Sequence, residues 1–194
     1  FLVNLVNIYQ QSGKEAEANK LLDDRLAANP QDATALLVKG SILEDKDLKS
    51  ALGWYYKAAK ADPSNTNAFI YLGAGLYNAA AKLYENSEVT QATSKMANDL
   101  LKAALPALEI AYKSRPDNIK GILGSIYYQM DMKDKREALD AGTLEVGNPT
   151  LPDLTDLLQN LDLTVTKKAP AAVEPVEQPA QKATTKKAPA KRRK

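Results

Sequence analysis

The sequence predicts an all-α protein built from stacked helical hairpins. Ala and Leu recur at helical intervals, and the 9 Gly and 10 Pro are few for a turn-rich β protein. Three segments also end alike, at Pro30, Pro63 and Pro116. Each proline stops a helix, and the polar pair that follows it is suited to capping the next one. We therefore expect neither a sandwich nor a barrel.

The spacing of these signals indicates a repeat. Pro30 and Pro63 lie 33 residues apart, and Gly40 and Gly73 each follow the preceding proline by ten residues. Two helices within such a period are typical of a helical-hairpin repeat. Because one hairpin cannot bury its apolar face alone, stacked neighbours bury it jointly. The sequence thus predicts a superhelix with a concave and a convex side.

The first two units carry large, small and aromatic residues at matching places. In the first unit these are Leu2, Leu5, Tyr9, Gly13, Ala18, Leu22 and Pro30. In the second they are Leu36, Gly40, Leu43, Ala51, Tyr55, Ala58 and Pro63. This pattern resembles the tetratricopeptide repeat, a 34-residue helical hairpin. The resemblance covers about residues 1–146 and implies a right-handed α-solenoid that binds proteins.

The third unit departs from the repeat length. It matches at its ends, through Phe69, Leu72, Gly73, Leu76, Ala104, Leu108, Ala111 and Pro116. Pro63 and Pro116 are 53 residues apart, so we expect both helices of this unit to be longer by two to three turns. Two interpretations stay open: the long hairpin projects without a role, or it contacts a partner. This unit is similar to those of bacterial tetratricopeptide proteins of the Bacteroidetes type.

The chain divides by these signals into an array, a cap and a tail. The expected hairpins span residues 1–32, 33–65, 66–118 and, in degenerate form, 119–146. Residues 147–163 contain Leu154, Leu157, Leu158 and Leu161 at helical spacing, and we expect them to cap the last hairpin. Residues 164–194 are rich in Lys, Ala and Pro and predict a disordered basic tail.

Composition excludes most enzyme chemistry. The chain contains no Cys and no His, so it has no disulfide, no zinc site with those ligands and no Ser-His or Cys-His pair. We expect a non-enzymatic adaptor with no cofactor and no metal site. The opening FLVNLVNIYQ is interrupted by two Asn and is too short to span a membrane. Since it begins with Phe1, we interpret the sequence as a fragment.

The resemblance also implies a partner site. In the family the first helix of each repeat lines the concave groove. The corresponding residues here are Asn7, Gln10, Gln11, Thr34, Leu37, Ser41, Glu44, Asn67, Ile70, Tyr77, Asn78 and Tyr128. Because this lining is polar and mostly uncharged, we expect a neutral or mildly basic protein or peptide segment there. Trp54 has two interpretations, as a stacking platform or as inter-repeat packing, of which packing is favoured.

The charge is divided unevenly along the chain. Residues 1–163 hold 17 basic and 22 acidic side chains, a net of −5, whereas residues 164–194 hold 9 and 2, a net of +7. A basic tail neutralises phosphates without sequence preference. The alternative function is therefore binding of nucleic acid or another polyanion, with the repeats mediating assembly. The candidate residues are Lys167, Lys168, Lys186, Lys187, Lys191, Arg192, Arg193 and Lys194.

Overall fold

The computed structural model describes residues 1–86 and 89–163, and these residues form helices without any strand. In chain order the helices are α1 (Leu2–Gln11), α2 (Glu15–Ala28), α3 (Ala33–Leu43), α4 (Leu48–Ala61), α5 (Thr66–Asn86), α6 (Gln91–Tyr112), α7 (Pro116–Gln129), α8 (Lys133–Ala141) and α9 (Thr155–Asn160). Consecutive helices pack on each other from α1 to α8. This confirms the all-α solenoid of helical hairpins.

Local chemistry sets the helix ends. Asp32 and Asp47 cap α3 and α4, because their carboxylates accept hydrogen bonds from the backbone N–H of Ala35 and Ser50, each at 3.0 Å. Thr90 forms a capping box with the residue three positions on. Gly142 ends α8 in the left-handed region, at φ +73°. These caps divide a mostly helical chain into separate helices.

Small residues bring the helices close together. A Cβ on Gly73 would lie 2.5 Å from Cγ of Leu108, and one on Gly40 would overlap the ring of Tyr55. Both glycines are therefore required for close contact between the two helices of a hairpin. Around these contacts a main core cluster extends from Leu36 in α3 to Leu161, just after α9. A second, smaller cluster joins α1 and α2 to α3.

The third hairpin is the largest element of the fold. Its helices have 21 and 22 residues, whereas those of the other three hairpins have 9 to 14. Pro106 lies inside α6, which continues through it. The buried Ala107 and Leu108 hold this stretch in the core, so packing outweighs the local preference of proline to end a helix.

Residues 147–163 lie elsewhere than expected. We predicted that residues 147–163 cover the last hairpin, but α9 packs on α4, two hairpins back. Tyr56 donates a hydrogen bond to Asp153 at 3.2 Å, and the Lys49 ammonium donates one to the carbonyl of Gln159 at 2.8 Å. Leu154, Leu158 and Leu161 are buried in the main core cluster. Residues 142–163, here named the return segment, thus run back over the second helices of the array.

No helix of the described residues is long and apolar enough to cross a membrane. Those residues also hold no group of Asp and Glu side chains arranged to bind a metal ion.

Candidate interaction surfaces

The residues predicted for the groove lie along α1, α3, α5 and α7, the first helices of the four hairpins. We name this surface the first-helix face. Most of its predicted residues are exposed: Asn7, Gln10, Gln11, Thr34, Ser41, Asn67, Asn78 and Tyr128. Leu37, Glu44, Ile70 and Tyr77 are half-buried. Direct contacts join α1 to α3 and α5 to α7, so parts of this face are continuous between hairpins.

The half-buried members of the face are anchored in the core. Leu37, Ile70 and Tyr77 pack against the main core cluster. Glu44 accepts a hydrogen bond from the Tyr55 hydroxyl at 2.8 Å. Burial, and then the bond to Glu44, raise the pKa of Tyr55 well above its usual range, so the hydroxyl remains the donor. These four side chains therefore have little freedom to rearrange.

Two of the predicted residues meet in one cavity. Glu44 and Asn78 line a small pocket of about 260 Å³ between the turn from α3 to α4 and the C-terminal half of α5. Asp45, Lys82 and Glu85 also line it, so three carboxylates face one ammonium group there. This end of the first-helix face is locally acidic.

One aromatic pair borders this face. The rings of Tyr55 and Tyr71 have centroids 5.3 Å apart. Tyr128 lies 70% exposed, with the Arg136 guanidinium 4.9 Å from its ring centroid. Tyr71 is 41% exposed and was not among the residues predicted to line the groove. Its position one helical turn after Asn67 was the signal that could have found it.

A second surface lies on the side of the return segment. A cleft of about 860 Å³ is bounded by α2, α3, α4 and α9, with Trp54 on its wall. We name it the Trp54 cleft. The ammonium groups of Lys39 and Lys57 lie 4.8 Å and 4.5 Å from the Trp54 ring centroid, and that of Lys60 lies 5.2 Å from the ring centroid of Tyr56. Trp54 is half-buried and also contacts the core, so it both packs and borders open space.

A buried ionic contact closes the far end of the array. Glu109, 6% exposed, accepts hydrogen bonds from the Tyr127 hydroxyl at 2.9 Å and the Lys135 ammonium at 2.7 Å. It therefore joins α6 to α7 and α8. Since all its partners come from the same chain and the carboxylate is enclosed, this contact holds the fold together and offers no binding site. Local sequence patterns do not predict this contact, because the partners are 18 and 26 residues away along the chain.

The candidate tail residues lie outside the described residues. These are Lys167, Lys168, Lys186, Lys187, Lys191, Arg192, Arg193 and Lys194.

Comparison with known proteins identifies the repeat. Residues 3–66 match the family model described as tetratricopeptide repeat. This range comprises nearly all of the first two hairpins. No curated protein matches the sequence. The narrower similarity to proteins of the Bacteroidetes type stays a prediction.

Proposed function

Because residues 3–66 match the tetratricopeptide repeat family, we propose that the first-helix face of this chain binds a segment of a partner protein. Repeats of this family generally mediate protein–protein interactions, and the family is typically a non-enzymatic scaffold. The observation that carries the proposal is the set of exposed polar and aromatic side chains on the first helices: amides on α1 and α5, hydroxyls on α3 and tyrosine rings on α5 and α7. Asn7, Asn67 and Tyr128 belong to this set.

The chemistry of this set defines the segment. Exposed Asn and Gln side chains both donate and accept hydrogen bonds, which suits the backbone and polar side chains of a peptide. Tyr71 and Tyr128 offer exposed rings with little side-chain entropy to lose on binding. The acidic pocket beside Asn78 favours a basic side chain at one end of the ligand. The proposed ligand is therefore a neutral or mildly basic segment.

Affinity capture with the full chain, followed by identification and purification of the retained protein, provides the ligand for a quantitative test. The double variant Asn67→Ala/Tyr77→Ala should weaken binding by about 2 kcal/mol, or roughly thirty-fold in Kd. Since Tyr77 also packs on the core, the purely surface variant Asn67→Ala/Asn78→Ala should reproduce part of the loss without lowering thermal stability. Calorimetry on each variant measures both effects.

Matched controls locate the binding surface. Lys20→Ala/Asn98→Ala changes two exposed residues on second helices and should leave Kd unchanged. Val89→Asp tests the long hairpin, since Val89 is 69% exposed and lies just before α6, the second helix of that hairpin. Loss of binding in Val89→Asp alone would assign the partner to that hairpin and contradict the proposal. Loss on replacing Lys191, Arg192, Arg193 and Lys194 by Gln would assign it to the tail.

A further inference from the structure

The Trp54 cleft contains a glycine that helix packing does not explain. Gly40, Gly73 and Gly75 all lie where an added Cβ would press on a neighbouring side chain. Gly53 sits in the interior of α4, yet a Cβ there would meet nothing within 4 Å. A glycine in a helix interior makes the helix less stable than Ala would at the same position. Because Gly53 has no side chain, the space beside Trp54 in the wall of the cleft stays open.

The wall of the cleft is largely apolar. Leu26 and Pro30 come from the end of the first hairpin, Leu36 from α3 and Leu158 from the return segment. A volume of about 860 Å³ lies in the range of clefts that enclose ligands the size of a few side chains. The cleft can therefore take one or two apolar side chains of a bound segment against Trp54.

The rim of the cleft is basic, although residues 1–163 carry a net charge of −5. Its charged residues are Lys39, Lys57, Lys60 and Asp23, a local net of +2. Lys39 forms an ion pair with Asp23. Lys57 takes part in no ion pair among the described residues, and Lys60 lies near Asp153 of the return segment. At least the Lys57 ammonium is thus available to a carboxylate of a ligand.

We propose that the Trp54 cleft binds an acidic peptide segment, with an apolar side chain against Trp54 and Gly53 and carboxylates on Lys57 and Lys60. Charge complementarity and the aliphatic wall together favour this occupant over a nucleic acid, whose bases stack on exposed aromatic rings, because Trp54 is half-buried and most apolar residues of the wall are aliphatic. The site is separate from the first-helix face and takes a ligand of opposite charge. The protein then holds two different partner segments on its two sides.

Trp54 makes the test direct, because it is the single tryptophan of the chain. A random dodecapeptide library displayed on phage is selected against the full chain, and enriched peptides without Trp are synthesised. We expect a class that combines Asp or Glu with Leu or Phe and that shifts Trp54 emission saturably. In Lys57→Gln/Lys60→Gln the Kd of these peptides should rise at least ten-fold. Gly53→Leu should abolish the shift by filling the cleft.

Stability measurements accompany each variant. Since nothing lies within 4 Å of a Cβ at Gly53, Gly53→Ala should fold at least as well as the parent chain and bind more weakly. Lys46→Gln/Lys102→Gln provides a matched loss of two exposed lysines away from the cleft and should leave Kd unchanged. Asn67→Ala/Tyr77→Ala should also leave it unchanged, so that failure of the first-helix face and failure of the cleft give different results.

Three outcomes would overturn the proposal. The first is that the enriched peptides lack acidic residues. The second is that they bind the Gly53→Leu variant as tightly as the parent chain. The third is that their binding is lost when Gln replaces the four basic residues at the end of the tail, Lys191, Arg192, Arg193 and Lys194. The last result would make the tail the binding site for these acidic peptides.

Discussion

The first and third hairpins have the same plan but different depth of packing. In the first, α1 and α2 bury Leu2, Val6, Ala18 and Leu22, and these join two residues of α3 in a separate small cluster. In the third, α5 and α6 contribute to the main cluster, which also includes residues of the second and fourth hairpins and the return segment. The first hairpin is therefore attached at an edge, whereas the third lies at the centre.

The family match and the longest helices fall on different parts of the chain. The match covers residues 3–66, which comprise the first hairpin with its small cluster and the second hairpin, whose residues join the main cluster, and it stops where the longest helices begin. Repeat spacing and packing depth are thus separate properties of the sequence. The spacing of Pro and Gly identifies the hairpins, while the length of the apolar stripes on α5 and α6 determines where the largest share of the core lies.

The largest expected effect comes from truncating equivalent core leucines in the two hairpins. Leu22 and Leu108 are both fully buried, so each change to Ala should lower the free energy of unfolding by about 2–5 kcal/mol locally. Leu108→Ala should reduce amide hydrogen-exchange protection throughout α4 to α7. Leu22→Ala should reduce it only in α1, α2 and the neighbouring α3, because repeats couple to their neighbours alone.

Hydrogen exchange measured by mass spectrometry distinguishes these patterns. If Leu22→Ala lowers protection in α6 as much as Leu108→Ala does, the array unfolds as one unit and the difference between the hairpins has no thermodynamic meaning.

Sequence reasoning reached the repeat class because its signals are local. Pro30 and Pro63 end helices by their own stereochemistry, and Gly40 and Gly73 mark close contacts within the hairpins. It did not find where the return segment lies, since Leu154, Leu158 and Leu161 define an apolar stripe without specifying which groove receives it. The cleft beside Trp54 was missed for the same reason, because α9, which closes one side of it, lies about 100 residues further along the chain.

The next effect tests the close approach of α5 and α6. Gly73→Ala places a Cβ 2.5 Å from Cγ of Leu108 and 3.3 Å from its backbone nitrogen, so helix and side chain must both shift. We expect a loss of about 1–3 kcal/mol in urea denaturation. Gly121→Ala in α7 is the matched control, because a Cβ there meets nothing within 4 Å. It should be stabilising by about 0.5–1 kcal/mol. Equal effects of the two variants would show that α5 and α6 do not pack this closely.

Charged contacts extend the same comparison. Glu109 is buried and serves both Tyr127 and Lys135, whereas the Glu15–Lys46 pair, which joins the first two hairpins at 2.6 Å, is 59% exposed on both sides. Glu109→Leu leaves a buried hydroxyl without its acceptor and should cost about 1–3 kcal/mol. Glu15→Leu should change stability by less than about 1 kcal/mol, because exposed ion pairs contribute little. Thermal denaturation at low and high salt measures both losses of stability. A larger loss of stability in Glu15→Leu than in Glu109→Leu would contradict the prediction that the buried contact contributes more than the exposed ion pair.

The smallest expected effect concerns the junction of the first hairpin with the second. Asp32 caps α3 and also accepts a hydrogen bond from the Arg25 guanidinium of α2 at 2.5 Å. Burial opposes ionisation of Asp32, but the N–H of Ala35 and the Arg25 guanidinium outweigh it, so the pKa of this carboxyl lies below its ordinary value of 3.8. A carboxyl whose pKa is lowered by folding stabilises the folded state above its ordinary pKa, and this contribution is lost as the pH falls through the folded value.

Asp32→Asn keeps a good cap and removes the charge, so it should cost about 0.5–1 kcal/mol at pH 7. The difference from the parent chain should begin to close as the pH falls below 3.8 and continue to close until the pH passes the lower folded-state pKa of Asp32. Urea denaturation from pH 7 to pH 3 measures this, with Asp24→Asn on the exposed face of α2 as the control for a general charge effect. A gap between parent and Asp32→Asn that stays constant over this range would mean that the charge of Asp32 does not hold the first hairpin to the rest of the array.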